Sequence, residues 1–135
     1  MGMFDSFRIS ASGMTAQRLW MDVVAENLAN ANTTRGADGK PYARKQVVLS
    51  EIPGSFESTL QGVQVTGVAD DPTPGKRVYD PGHPDADREG YVTMPNVTTV
   101  TEMVDLISAS RGYEADTQAM NAGRSMFLKA LEILR

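Results

Sequence analysis

The fold is decided by residues 103–134, which read MVDLISASRGYEADTQAMNAGRSMFLKALEIL. Positions at steps of three and four form one face of an α-helix there, and seven of the ten residues on this face are apolar or aromatic. This face predicts a single helix that begins near residue 99 and continues to residue 134. The face consists of Met103, Leu106, Ser110, Tyr113, Thr117, Met120, Arg124, Phe127, Leu131 and Leu134.

The predicted C-terminal helix is too long for a domain of this size to cover. At 1.5 Å per residue it would measure roughly 50 Å, whereas a typical globular helix has about 11–12 residues. A second stripe of small and apolar side chains flanks the first along the same helix. That second stripe consists of Val104, Ile107, Ala115, Ala119, Ala122, Met126, Ala130 and Ile133.

The N-terminal segment has the same helical spacing. Its stripe predicts a helix with coiled-coil character within residues 1–32, interrupted only by Arg18 and widened by Ala16, Leu19 and Val23. Two arrangements then remain open: the two terminal helices pair with each other, or each is covered by other subunits. The stripe consists of Phe4, Phe7, Ala11, Met14, Met21, Ala25 and Leu28.

The middle of the chain cannot continue either helix, because all seven prolines lie between Pro41 and Pro95. Turn pairs there separate three predicted strands, at residues 45–49, 63–68 and 76–79. The sequence therefore predicts an α+β fold with three parts: a helix in 1–32, a β-rich module in 33–95 and a helix in 96–135. Residues 99–102 match a capping box, which predicts that the second helix begins there.

Composition argues against most kinds of chemistry. The 135 residues suit one domain, and a net charge of −4 disfavours a nucleic-acid binder. The chain has no cysteine, so thiol-based metal sites are excluded. Its single histidine would have to serve any catalytic triad. Residues 80–87 hold His83 and three aspartates, but their spacing matches no metal motif and favours a structural loop. We expect no cofactor, no small-molecule substrate, no cleaved signal peptide and no membrane span.

These residues alone predict a non-enzymatic assembly protein. A small adaptor whose terminal helices dock on one partner is the alternative, and an enzyme comes third because no catalytic constellation is present. The eight methionines suit adaptable contact surfaces between proteins.

Residues 25–33, AENLANANT, resemble the signature of the flagellar rod and hook proteins, the axial family. The resemblance extends to residues 12–18, 78–97 and 102–115, and the second of these segments is similar to proximal-rod members in particular. Gly112 stands where the family usually has Ala, which should cost about 1 kcal/mol of helix propensity, and Asp116 stands where Asn is usual. The axial motif consists of Asn27, Leu28, Ala29, Asn30 and Asn32.

The resemblance implies a structural subunit of the basal-body rod, the shaft that crosses the periplasm. It implies that the subunit is exported through the flagellar type III apparatus and that its helices pack in coaxial layers around a hollow channel. Its partners would be other rod subunits and the base of the basal body. The asparagines would either end the first helix or bridge neighbouring subunits. Predicted interface residues are Phe7, Met14, Leu19, Met21 and Leu28 in the first helix, and Met103, Leu106, Arg111, Tyr113, Met120, Phe127, Leu131 and Leu134 in the second.

Overall fold

A computed structural model of the protein describes residues 3–52 and 62–133. Two long helices enclose a middle segment of four strands, so the predicted α+β fold is confirmed. The first helix ends near the Asn-rich motif and the second begins just after Pro95, close to where the sequence places them. The elements are α1 Met3–Ala29, β1 Lys45–Glu51, β2 Val63–Asp70, β3 Arg77–Tyr79, β4 Tyr91–Thr93 and α2 Thr99–Ile133.

The two helices pair with each other in antiparallel orientation. Gly123 of α2 lies against the ring of Phe7 near the start of α1, and Glu102 of α2 hydrogen-bonds to Asn27 near its end. Of the two arrangements that the sequence left open, intrachain pairing is therefore present. α1 is covered by α2 on one side and contacts the β1–β2 hairpin on another.

Small side chains allow the helices to approach closely. A Cβ atom at Gly112 would lie 2.8 Å from Nε2 of Gln17, and one at Gly13 would lie 2.5 Å from Oδ2 of Asp116. These two contacts sit one helical turn apart on each helix. The family departures at Gly112 and Asp116 thus lie in the helix interface, and the missing Cβ of Gly112 makes room for the side chain of Gln17.

The apolar core is small, since few of the described apolar side chains are buried. The deepest positions of α1 lie on the flank of its predicted stripe rather than along its centre, because α2 and the hairpin cover adjoining sides of the helix. Stripe members such as Met14 and Met21 are half-buried. The buried apolar side chains are Ala16, Val23, Val24, Val92 and Ala109.

The strands form two separate antiparallel hairpins. β1 pairs with β2 through a bulge between Val48 and Leu49, and β3 pairs with β4 from Arg77↔Thr93 to Tyr79↔Tyr91. The three predicted strands are present, with β1 and β2 each two residues longer than predicted, whereas β4 was not predicted. Three residues that alternate Tyr-Val-Thr after a glycine carry too short a pattern to identify a strand from sequence.

The start of α2 differs from the predicted capping box by one residue. The backbone N–H of Glu102 donates to the carbonyl of Thr98 at 3.0 Å, which makes Thr98 the N-cap residue. Glu102 then stands one position too far into the helix for the box, and its carboxylate has other partners. Within residues 3–52 and 62–133, neither helix is apolar enough over a sufficient length to cross a membrane.

Candidate functional site

A buried polar cluster joins both helices to the β1–β2 hairpin. The side-chain amide of Asn27 is 1% exposed. Its nitrogen donates to the carbonyl of Lys45 at 2.9 Å and to Oε2 of Glu102 at 3.0 Å. Its oxygen accepts from the backbone N–H of Lys45 at 2.8 Å and from the hydroxyl of Tyr42 at 2.9 Å. We call Asn27, Tyr42, Arg44, Lys45 and Glu102 the polar junction.

Glu102 is the only acidic residue of the junction, and it is fully buried. Arg44 compensates its charge: Nε donates to Oε1 of Glu102, and Nη2 donates to Asp105 at 3.2 Å. The hydrogen bond to Glu102 raises the pKa of Arg44, and burial raises the pKa of the Tyr42 hydroxyl. A buried charge is stable only where such a partner is present, so the junction depends on Arg44.

A second asparagine holds Arg44 in place through its backbone. The backbone N–H of Arg44 donates to Oδ1 of Asn96 at 2.7 Å, and the amide nitrogen of Asn96 donates to the carbonyls of Asp71 and Thr73. The carbonyl of Arg44 in turn accepts from the N–H of Asp71 at 2.7 Å. The end of β2 and the segment before α2 are therefore fixed to the same point as the start of β1.

Two asparagines of the axial motif, Asn27 and Asn30, make polar contacts within the chain. All four hydrogen-bonding positions of the Asn27 amide are occupied, so none remains for a neighbouring subunit. Asn30 donates to the carbonyl of Glu26 and accepts from the hydroxyl of Thr33, as expected of a side chain that ends a helix. Leu28 is half-buried, whereas Ala29 and Asn32 are exposed.

The predicted interface residues of the helices divide into two groups by exposure. All five from α1, together with two from α2, are half-buried, while the others that the structure describes are exposed. Leu134 lies outside the described residues. The half-buried group is Phe7, Met14, Leu19, Met21, Leu28, Leu106 and Met120, and the exposed group is Met103, Arg111, Tyr113, Phe127 and Leu131.

The C-terminal part of α2 extends past its intrachain partner. Beyond the contact between Gly123 and Phe7, α2 continues through residues 124–133, while α1 has only residues 3–6 on the other side of Phe7. At 1.5 Å per residue, the difference leaves about 9 Å of helix that α1 does not reach within the described residues. We call residues 124–133 the exposed helix end. Its apolar side chains Met126, Leu128, Leu131 and Ile133 are 48% to 86% exposed.

The aspartate-rich loop around His83 is held by hydrogen bonds and an ion pair within the chain. The backbone N–H of Asp85 donates to Nδ1 of His83 at 3.1 Å, and the carboxylate of Asp85 binds Thr34 and Arg35 just after the axial motif. Asp87 accepts from the N–H groups of Glu89 and Tyr91, and the bond from Tyr91 is the main cause that lowers its pKa. In the part of the chain that the structure describes, no three metal-ligating side chains are grouped to hold an ion.

The polar junction was not predicted from the sequence. Tyr42 and Arg44 belong to no motif in isolation, Asn27 was assigned to the axial motif, and Glu102 was interpreted as part of a capping box. The junction joins side chains up to 75 positions apart, which periodicity and local spacing cannot connect. The available signal was a lone Arg44 at the first predicted strand together with a glutamate in the first turn of a long helix.

Comparison with known proteins identifies relatives across the whole chain. The family described as flagella basal body rod protein matches residues 7–37, and the family described as flagellar basal body rod FlgEFG protein C-terminal matches residues 88–133. The flagellar basal-body rod protein FlgC of Borreliella burgdorferi is 43% identical over 100% of this chain and 99% of its own length. FlgC of Bacillus subtilis is 47% identical over 96% and 97%, and FlgC of Escherichia coli O6:H1 is 45% identical over 98% of each.

Proposed function

Because this chain belongs to the flagellar basal-body rod protein family, we propose that it is a structural subunit of the rod that assembles with neighbouring subunits through its two terminal helices. The observation that carries the proposal is the exposed helix end. A helix that presents several large apolar side chains past the end of its own partner is typical of a surface that another chain covers.

The likeness of residues 78–97 to proximal-rod members supports a place in the proximal rod. There the helices would line a hollow shaft, with residues 1–32 and 96–135 as the axial segments and residues 33–95 as the module between them. Partners would be other rod subunits, the base of the basal body and the type III export apparatus. The role is structural rather than enzymatic.

The proposed contact residues are the exposed members of the predicted interface set, which are Met103, Arg111, Tyr113, Phe127 and Leu131. Phe127 and Leu131 are one turn apart on α2. They lie on the side of the helix that, nearer its N-terminus, faces α1. Burial of one such side chain against a neighbour contributes roughly 1.5–3 kcal/mol. Several per subunit, repeated along a shaft, would hold the assembly together.

The test is the substitution Leu131→Asp in a cell whose only copy of the protein carries it. We expect the cells to lose swimming and the subunit to be missing from isolated basal bodies, because a charge would enter the contact between subunits. The purified variant should keep its circular dichroism and its free energy of unfolding within about 0.5 kcal/mol, since Leu131 is exposed in the single chain.

The matched control is Ala37→Asp, which adds the same charge at an exposed loop residue outside both helices. Control cells should swim normally. Normal swimming of the Leu131→Asp cells would contradict assembly through this helix end. An adaptor predicts another result: basal bodies would assemble fully and lose only one bound partner.

A further inference from the structure

A second exposed apolar surface lies at the other end of α2. Val100, Met103, Val104 and Ile107 are 49% to 71% exposed. They share one face of the helix, opposite the face on which Glu102 and Ala109 are buried against α1, since residues seven apart return to the same side. We call these four residues the outer face of α2.

A positively charged side chain lies at the C-terminal end of the outer face. Arg111 follows Ile107 by four residues and therefore lies on the same side, about 6 Å further along the helix. Its side chain is exposed, and within the described part of the chain no carboxylate lies in ion-pair distance of it. The surface thus consists of an apolar strip that ends in an unpaired positive charge.

A groove of complementary character runs between α1 and β2 on another side of the molecule. It has a volume of about 380 Å³. Apolar side chains form its floor and carboxylates form its rim, and two of the three carboxylates, those of Asp22 and Asp70, have no ion pair within the described residues. We call it the side groove. Its floor consists of Leu19, Val23 and Val68, and its rim of Asp22, Glu26 and Asp70.

The charge of the side groove is negative even after its own lysine is counted. Lys45 lies at the groove and binds Glu26, so that these two charges offset each other. The carboxylates of Asp22 and Asp70 remain. An apolar floor with two free carboxylates matches an apolar strip with one free guanidinium, because the cation can reach the rim while the strip covers the floor.

We propose that the side groove binds the outer face of α2 from a second copy of this chain, with Val104 and Ile107 on the floor and Arg111 between Asp22 and Asp70. The inference rests on the proposed function, which requires copies to assemble, and it names the two surfaces that meet. One molecule cannot join its own two surfaces, since the outer face points away from α1 while the groove lies beside it. The contact joins two different surfaces, and in a head-to-tail arrangement such a contact generates rings or helical arrays.

Charge reversal tests the pairing in cells that carry one copy of the gene. Arg111→Glu places a carboxylate between two others, so we expect swimming to be lost. Adding Asp22→Arg or Asp70→Arg to the same chain restores opposite charges and should recover swimming. Arg88→Glu, at an exposed loop position outside both surfaces, is the control and should swim as the parent does. Normal swimming with Arg111→Glu alone overturns the proposal.

Disulfide trapping tests the geometry, and the natural absence of cysteine makes the chain ready for it. One copy carries Asp70→Cys with an affinity tag and the other carries Ile107→Cys without one, and basal bodies isolated from cells with both are oxidised. We expect a species of twice the subunit mass that contains both copies. Replacing Asp70→Cys by Arg88→Cys should abolish it.

The outcomes separate this inference from the proposed function. If both copies are present in basal bodies but no mixed dimer forms, the side groove is not the binding site, while the role as a rod subunit stands. A cross-link from Ile107→Cys to a different protein also overturns the second-copy assignment. If neither copy is found in basal bodies, the proposed function and this inference fail together.

Discussion

The two ends of the helix pair differ in the contact between the two helices. At the polar junction, buried polar groups are paired with one another, and Glu102 has no exposed area. At the exposed helix end, apolar groups such as Leu131 and Ile133 face water. A chain that folds for itself alone would bury the second set and expose the first. We infer that the junction fixes the shape of the single molecule, and we propose that the helix end contacts other subunits.

The largest effect on the single molecule should come from Glu102→Ala. Without its carboxylate, Arg44 and the amide of Asn27 lose a buried partner, and breaking a buried charge pair costs about 3 kcal/mol. Urea unfolding followed by circular dichroism measures the change. The control is Glu114→Ala, which removes the same side chain from an exposed site on α2 and should cost less than about 0.5 kcal/mol. Equal losses in the two variants would show that the junction does not stabilise the fold.

A smaller loss is expected for Asn27→Ala, about 2 kcal/mol, because the backbone groups of Lys45 lose their partner at a buried site. Asn32→Ala removes an exposed asparagine five residues later and should change the free energy of unfolding by less than about 0.5 kcal/mol. If both variants unfold like the parent, Asn27 acts only in assembly, and the contrast between the two ends disappears.

Between the two ends, the contact of Gln17 with Gly112 should produce an effect of about 1 kcal/mol. Gly112→Ala gains helix propensity but places a Cβ atom 2.8 Å from Nε2 of Gln17, whose Oε1 is already buried without a hydrogen bond among the described residues. The gain should therefore appear in a Gln17→Ala background and be reduced in the parent. A double-mutant cycle measures this coupling. Equal gains in both backgrounds would mean that the side chain of Gln17 moves aside freely.

Periodicity in the sequence was sufficient to predict both helices, because the stripes through Phe7 and Met103 extend over many turns. Turn pairs and β-branched residues located three of the four strands. The sequence could not indicate which side of α1 would be deepest, since that depends on where the β1–β2 hairpin lies against Val23. Nor could it reveal that Asn27 serves the fold rather than a neighbour, because its partners Lys45 and Glu102 are distant in the chain.

The hydrogen bond from Asn27 to Glu102 spans 75 residues and so constrains the order in which the molecule folds. The strands of each hairpin are separated by only 11 residues along the chain and can pair early, whereas the helix pair must bring together segments from both halves of the chain, which is slow. α1 gains its partner only after residue 102 and the turns beyond it have been synthesised. Throughout that interval the first helix lacks the cover that the second supplies in the folded chain.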